Sequence, residues 1–193
     1  AHDVGIPSTA TIMYGHVDEP KHWAAHIALL REIQKDTGGF TELVPLSFVH
    51  TDSPLFLNNP NSVRPGPTDH EVDLMHSVSR IMLNGFIDNI QVSWTKLGAE
   101  RARNMLSLGV NDLGGTLMNE SISRSAGSKH GQEITAAELC EIIRSAGRIP
   151  VRRNTIYKTI DIYKDHDPID VVPLVERKSD PLNFLKIFPE TAE

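Results

Sequence analysis

Apolar, β-branched runs alternate with stretches of helical spacing, and the alternation repeats four times along the chain. Ser8–Tyr14 (STATIMY) reads as a buried strand. Asp18-Glu19-Pro20 then starts a helix, with acidic capping and proline in its first turn. That helix places Trp23, Ile27, Leu30 and Ile33 on one face and stops at Gly38-Gly39. Leu43–Val49 reads as a second strand. After a loop with four prolines, Thr68-x-x-Glu71 forms a capping box for a helix carrying Val72, Met75, Ser79 and Met82. Ile87–Trp94 is the third strand, with a helix over Ala99–Leu108, and Gly109–Asp112 is a brief fourth strand. Thr135-x-x-Glu138 caps a last helix through Ala146, closed by Gly147.

Four strand–helix units with near-continuous apolar strands predict an α/β fold with a parallel sheet. Four units are half of an eight-stranded (β/α) barrel, so the expected architecture is a half-barrel over residues 1–160 with a C-terminal extension over 161–193. A small doubly wound domain is the structural alternative. An open half leaves two unpaired edges, which predicts self-association.

Composition narrows the partners. The 193 residues carry a net charge of −6 with no basic stripe, which argues against nucleic acid. No apolar run has the length of a membrane span, and no targeting segment is visible, so a cytoplasmic, membrane-free protein is expected. The single cysteine, Cys140, excludes an internal disulfide framework and reads as an ordinary half-buried thiol. Because the chain begins at Ala1, it is expected to be a fragment or a processed product.

In such sheets the working residues sit at the C-terminal ends of the strands. Those ends carry Tyr14, Gly15 and His16, then Phe48 and His50, then Gln91, Ser93 and Trp94, then Asn111 and Asp112. Each has a bland alternative: loop histidines, a core tryptophan, a turn before Gly114-Gly115. Polar or aromatic residues close all four strands at one end, however. A metal hydrolase built on His16, His50 and Asp112 lacks any HxH or HExxH spacing. Asn111–Thr116 (NDLGGT) resembles a phosphate loop only loosely. Radical chemistry, which needs polar and aromatic groups around an adenosyl moiety and a substrate, is the third class.

The segments STATIMYGHVDEPKHWAAHIALLREIQKDTGGF (8–40), VPLSFVH (44–50), RPGPT (64–68), DNIQVSWTKLG (88–98) and GVNDLGGTLMNESISRSAG (109–127) resemble the radical S-adenosylmethionine family. Within it the match is to the tyrosine-using, C-terminal half of FO synthase, with aminofutalosine synthase of the menaquinone route a similar sister. The resemblance runs from about residue 5 to residue 158. It implies a radical SAM barrel that cleaves S-adenosylmethionine at a [4Fe–4S] cluster. It also implies transfer of the hydroxybenzyl group of L-tyrosine to 5-amino-6-(D-ribitylamino)uracil, with release of iminoglycine. The family's CxxxCxxC motif is absent from this sequence, which implies that the cluster is carried by an N-terminal half of the barrel outside it, in the same polypeptide or in another; alone, the chain is expected to be inactive. By position, the resemblance assigns Met13, Tyr14, Gly15 and His16 to the adenosyl group. It assigns Phe48, His50, Arg64, Gln91, Ser93, Trp94, Asn111 and Asp112 to substrate, with Arg64 either pairing with a tyrosine carboxylate or serving as a surface loop arginine. A non-catalytic half-barrel that holds a pyrimidine or adenosyl ligand is the non-enzymatic alternative.

Overall fold

The computed structural model describes residues 1–117, 119–131 and 133–164. After a short 3-10 turn at His2–Val4 come β1 (Ser8–Tyr14), α1 (Pro20–Thr37), β2 (Phe40–Ser47), α2 (Pro54–Asn58) and α3 (Asp69–Leu83). α4 (Trp94–Leu97), α5 (Ala99–Met105), α6 (Ile122–Ser125) and α7 (Ala136–Ser145) follow, then an antiparallel pair, β3 (Val151–Arg153) and β4 (Thr159–Ile162).

β1 and β2 pair in parallel. Beyond β2 the ladder continues as single parallel bridges, Leu43 with Ile90 and Gln91 with Asp112. Leu43 N donates to Asn89 O and Gln91 N to Leu43 O, both at 2.9 Å, while Val92 N donates to Asp112 O at 3.0 Å. The backbone therefore lies in the four-strand parallel order that the sequence predicts. Two strands are shorter than expected. The third gives way to α4, because Ser93 already serves as that helix's N-cap, and the fourth is reduced to one bridged residue before the Gly114 turn.

Alternation along β1 sorts its side chains. Ala10, Ile12 and Tyr14 are buried, whereas Thr9, Thr11 and Met13 are exposed. The buried set joins Leu43, Ile90 and Val92 in one core with Trp23, Ile27 and Leu30 of α1, Val72, Met75 and Leu83 of α3, and Ala102 and Met105 of α5. Each fully buried aliphatic side chain there contributes about 1.5–3 kcal/mol. The helices thus cover one face of the sheet, and β1 turns its other face to solvent.

Local signals set the helix ends. The Thr68–Glu71 and Thr135–Glu138 capping boxes both form. α1 has a third that the sequence pattern hides: His22 Nδ1 accepts from Glu19 N at 3.0 Å, and Pro20 opens the helix. Gly38 ends α1 in the left-handed conformation, φ 63°. α5 stops at Met105 rather than Leu108. The expected boundary at residue 160/161 falls inside β4, and the extension from residue 165 onward lies outside the described residues.

His76 of α3 is fully buried, and its Nδ1 bonds to Val72 O at 2.8 Å, so Nδ1 carries the proton. Nε2 has no partner among the described residues. Burial depresses the imidazole pKa, outweighing the Val72 hydrogen bond, so the folded state holds a neutral ring. The unfolded chain binds this proton near pH 6.5. The stability that His76 contributes is therefore fully present above that pH and is lost as pH falls through it toward the lower folded value. Urea midpoints at pH 7.5 and 5.5 should differ less for His76→Leu than for the wild type; an equal difference would remove His76 from the account.

Candidate functional site

The end of β1 is built around a buried carboxylate. Asp18 accepts from Gly15 N at 2.9 and 3.0 Å, from His16 N at 2.8 Å and from the Trp23 indole. Burial pushes this carboxyl up, but the bonds from Gly15, Trp23 and His16 more than offset it and hold the group below the usual carboxylate range. Gly15 has φ 91°, and a Cβ there would lie 2.4 Å from Pro67. Only glycine fits this turn.

Not every residue assigned to the adenosyl group faces the rim. The Tyr14 side chain points into the helix-side core, where Ser47 Oγ donates to its hydroxyl at 3.0 Å and burial pushes the phenol up. Its carbonyl accepts from Phe48 N at 2.9 Å. Met13, by contrast, is 51% exposed on the open face. His16 sits edge-on to Phe48, with centroids 5.8 Å apart, and its carbonyl accepts from Arg64 N.

His50 packs edge-on to Phe56 of α2 at 4.9 Å. Arg64 has an internal partner, since its guanidinium pairs with Glu71, whose carboxylate also closes the α3 capping box. Burial pushes the Glu71 carboxyl up, but the bonds from Thr68 and Arg64 more than offset this and hold it below the usual range, so the group stays ionised. His16, His50 and Asp112 are not assembled as a metal site. Among the described residues no group of three or more His, Cys, Asp or Glu side chains is placed to hold an ion.

The third and fourth strands define a cavity of about 330 Å³ lined by Gln91, Ser93, Trp94, Gly114, Gly115 and Arg153. Ser93 Oγ and Thr95 Oγ1 satisfy each other at 3.0 Å. Trp94 is 5% exposed, and its indole N–H donates to Gly115 O at 3.2 Å. Asn111 faces away from the cavity: its side chain accepts from Ile90 N and Arg80 and donates to Asp88 O and Asn89 Oδ1.

Asp112 is held from two directions. Its carboxylate accepts from Gly114 N at 2.6 Å and pairs with the Arg153 Nε. Arg153 also lies 3.9 Å from a Glu42 oxygen, and its guanidinium stacks 3.9 Å over the Tyr157 ring. The Tyr157 hydroxyl donates to Glu42, which accepts from Thr9 Oγ1 at 2.9 Å. Burial opposes the Arg153 charge, yet its bond and charge interaction with Asp112 raise its pKa overall. Burial and the Glu42 bond push the Tyr157 phenol up, so it remains a donor.

Glu42, Arg153 and Tyr157 escaped the sequence reading. The one available signal was an acidic residue opening an apolar strand. Lys96 was missed too: half-buried, it donates to Ser123 Oγ at 3.2 Å, and burial lowers its pKa despite nearby Glu120.

Parallel strands, helices on one face and a polar cavity at the strand ends define an α/β protein of the strand–helix-repeat class, with its cavity at the end of the sheet where such folds carry their sites. Residues 37–166 match the family described as the CofH/MqnC C-terminal region, and the chain belongs to it. It is 55% identical over 157 residues to an FO synthase of Mycobacterium leprae, covering 81% of this chain and 18% of that protein. A 5-amino-6-(D-ribitylamino)uracil–L-tyrosine 4-hydroxyphenyl transferase of Methanopyrus kandleri is 50% identical over 163 residues, covering 84% and 44%. The namesake transferase of Methanocaldococcus jannaschii is 47% identical over 161 residues, covering 83% and 44%. The chain spans less than half the length of these curated relatives.

Arg153 joins two largely buried carboxylates from different strands, so its loss leaves like charges facing each other. Arg153→Met should cost about 3 kcal/mol in urea unfolding, and adding Asp112→Asn and Glu42→Gln should recover most of it. A loss below about 0.5 kcal/mol, the scale of a surface pair, would contradict this coupling.

Proposed function

We propose that this chain is the substrate-facing, C-terminal half of a radical SAM (β/α) barrel. In this reading residues 1–160 form the half-barrel and 161–193 an extension, and the completed enzyme transfers the hydroxybenzyl group of L-tyrosine to 5-amino-6-(D-ribitylamino)uracil. The observation that carries the reading is the identity, over four-fifths of the chain, to proteins named for that transfer and for FO synthesis. The open face of β1 supports it independently. Parallel sheets are covered on both faces, and here Thr9, Thr11 and Met13 lie exposed on the helix-free side of an edge strand.

S-adenosylmethionine and a [4Fe–4S] cluster would supply the hydrogen-abstracting radical. The cluster does not fit this chain. A cluster needs several thiolates, and the single Cys140 is buried in α7 with its thiol pushed up by burial. We therefore assign the cluster to the N-terminal half. The residues described here bind and position. Met13, Gly15 and His16 offer one end of the rim, with Phe48 and His50 beside it. Gln91, Ser93 and Trp94 line the cavity above the Asp112–Arg153 pair. Tyr14 contributes by packing, and Arg64 and Asn111 by holding loops and strands; this is a narrower role than the resemblance implies for them.

Mixing the chain with a cluster-bearing N-terminal half, reductant, S-adenosylmethionine, tyrosine and the ribitylaminouracil should yield the hydroxybenzyl–uracil adduct, followed by mass spectrometry. The chain alone should yield none. Consumption of a carboxyvinyl-benzoate substrate in place of tyrosine would move the chain to the aminofutalosine synthase branch. An adduct made without the N-terminal half would refute the half-barrel reading.

A further inference from the structure

Among the described residues that line the cavity at the ends of the third and fourth strands, one side chain has all its hydrogen-bonding groups unspent. Ser93 is paired with Thr95, the Trp94 indole with Gly115 O, and Asp112 with Gly114 N and Arg153. Arg153 spends Nε on Asp112 and a terminal nitrogen on Asn154 O at 3.1 Å. Gln91 lies among them, partly exposed, and its carboxamide has no hydrogen-bond partner among the described residues. It is nevertheless held in place. A Cβ built on Gly114 would stand 2.9 Å from Gln91 Nε2 and 3.1 Å from Cδ, and Gly114 has φ 76°. Glycine at 114 lets the turn close against the amide, while the main chain of Gln91 is fixed by its bond to Leu43 O.

A carboxamide presents an acceptor and a donor side by side in one plane. Its natural complement is a group with an adjacent C=O and N–H in a plane, the edge of a cyclic lactam or imide. The two substrates proposed above differ in this respect. An amino acid offers an ammonium, a carboxylate and a phenol, none of which takes both bonds. A pyrimidinedione ring offers that edge, and the flat indole of Trp94 lines the same cavity. We infer that Gln91 is the specificity-determining residue for the pyrimidine, pairing with its lactam edge through two hydrogen bonds. This assignment rests on the transferase reading and names which of its two substrates occupies this cavity.

The test uses the chain completed by its cluster-bearing half and measures equilibrium binding without reductant. The probes are the ribitylaminouracil, its analogue methylated at the ring N–H between the two carbonyls, and L-tyrosine. The wild type should bind the parent pyrimidine roughly ten- to a hundredfold more tightly than the methylated analogue, the range of a two-bond side-chain–base contact. Gln91→Leu should bind both pyrimidines equally weakly and change tyrosine affinity less than about twofold, a change too small to signal a lost hydrogen bond. Gln91→Met, close to glutamine in size and so a control for folding, has neither the acceptor nor the donor and should lose the same discrimination. Variants that keep the wild-type preference, or a wild type without one, would overturn the Gln91 assignment while leaving the transferase reading standing. A wild type that binds neither the pyrimidine nor tyrosine would overturn both.

Discussion

A parallel sheet buries both its faces, because its crossover helices and the hydrophobic strands they connect leave no solvated side. That constraint governs the rest of this structure. Ala10, Ile12, Tyr14, Leu43, Ile90 and Val92 meet the helices, and the opposite face of β1 meets water. The strand carries neither a charged residue nor a proline along Ser8–Tyr14, the usual means of blunting an exposed edge. In the half-barrel reading it is the edge of a sheet that continues on another piece of chain. The open face and the cavity at the strand ends are, in the same reading, two views of one surface, the inner wall of a barrel.

On that wall, polar groups settle the geometry that helices settle on the other side. Glu42 and Asp112, from different strands, share Arg153 of the C-terminal hairpin, and Tyr157 closes the circuit back to Glu42. Tyr157 adopts φ 60°, an uncommon conformation for a residue with a side chain. The surrounding contacts hold it there and set the ring under the guanidinium. The arrangement fixes Asp112 beneath Gly114, and Gly114 in turn admits the Gln91 carboxamide. Order in the cavity thus depends on a hairpin far from it in sequence.

Much of this was legible in residues close together along the chain. Thr68–Glu71 and Thr135–Glu138 act over three residues, and apolar spacing placed Trp23, Ile27 and Leu30 on the buried face of α1. The alternation in STATIMY placed Tyr14 in the core once the sheet's covered side was known. Contacts between distant residues were not legible. Arg64 looks free in a proline-rich loop, but folding brings Glu71 against it. Asn111 and Asp112 read as one polar pair, yet strand alternation sends them to opposite faces, one to stitch strands and one to face the cavity. The β3–β4 hairpin has short, charged strands with little apolar alternation, so no local pattern announced it.

The family match extends past the cavity and through the hairpin to residue 166. The hairpin therefore lies within the matched family region. If β1 and its open face are one edge of an inner wall awaiting its other half, hydrogen exchange will show it. Backbone amides of Thr9, Thr11 and Met13, which alternate with the β2-paired residues, should exchange readily in the chain alone and gain protection when the N-terminal half is added. Full protection in the monomeric chain, or no change on adding that half, would contradict it.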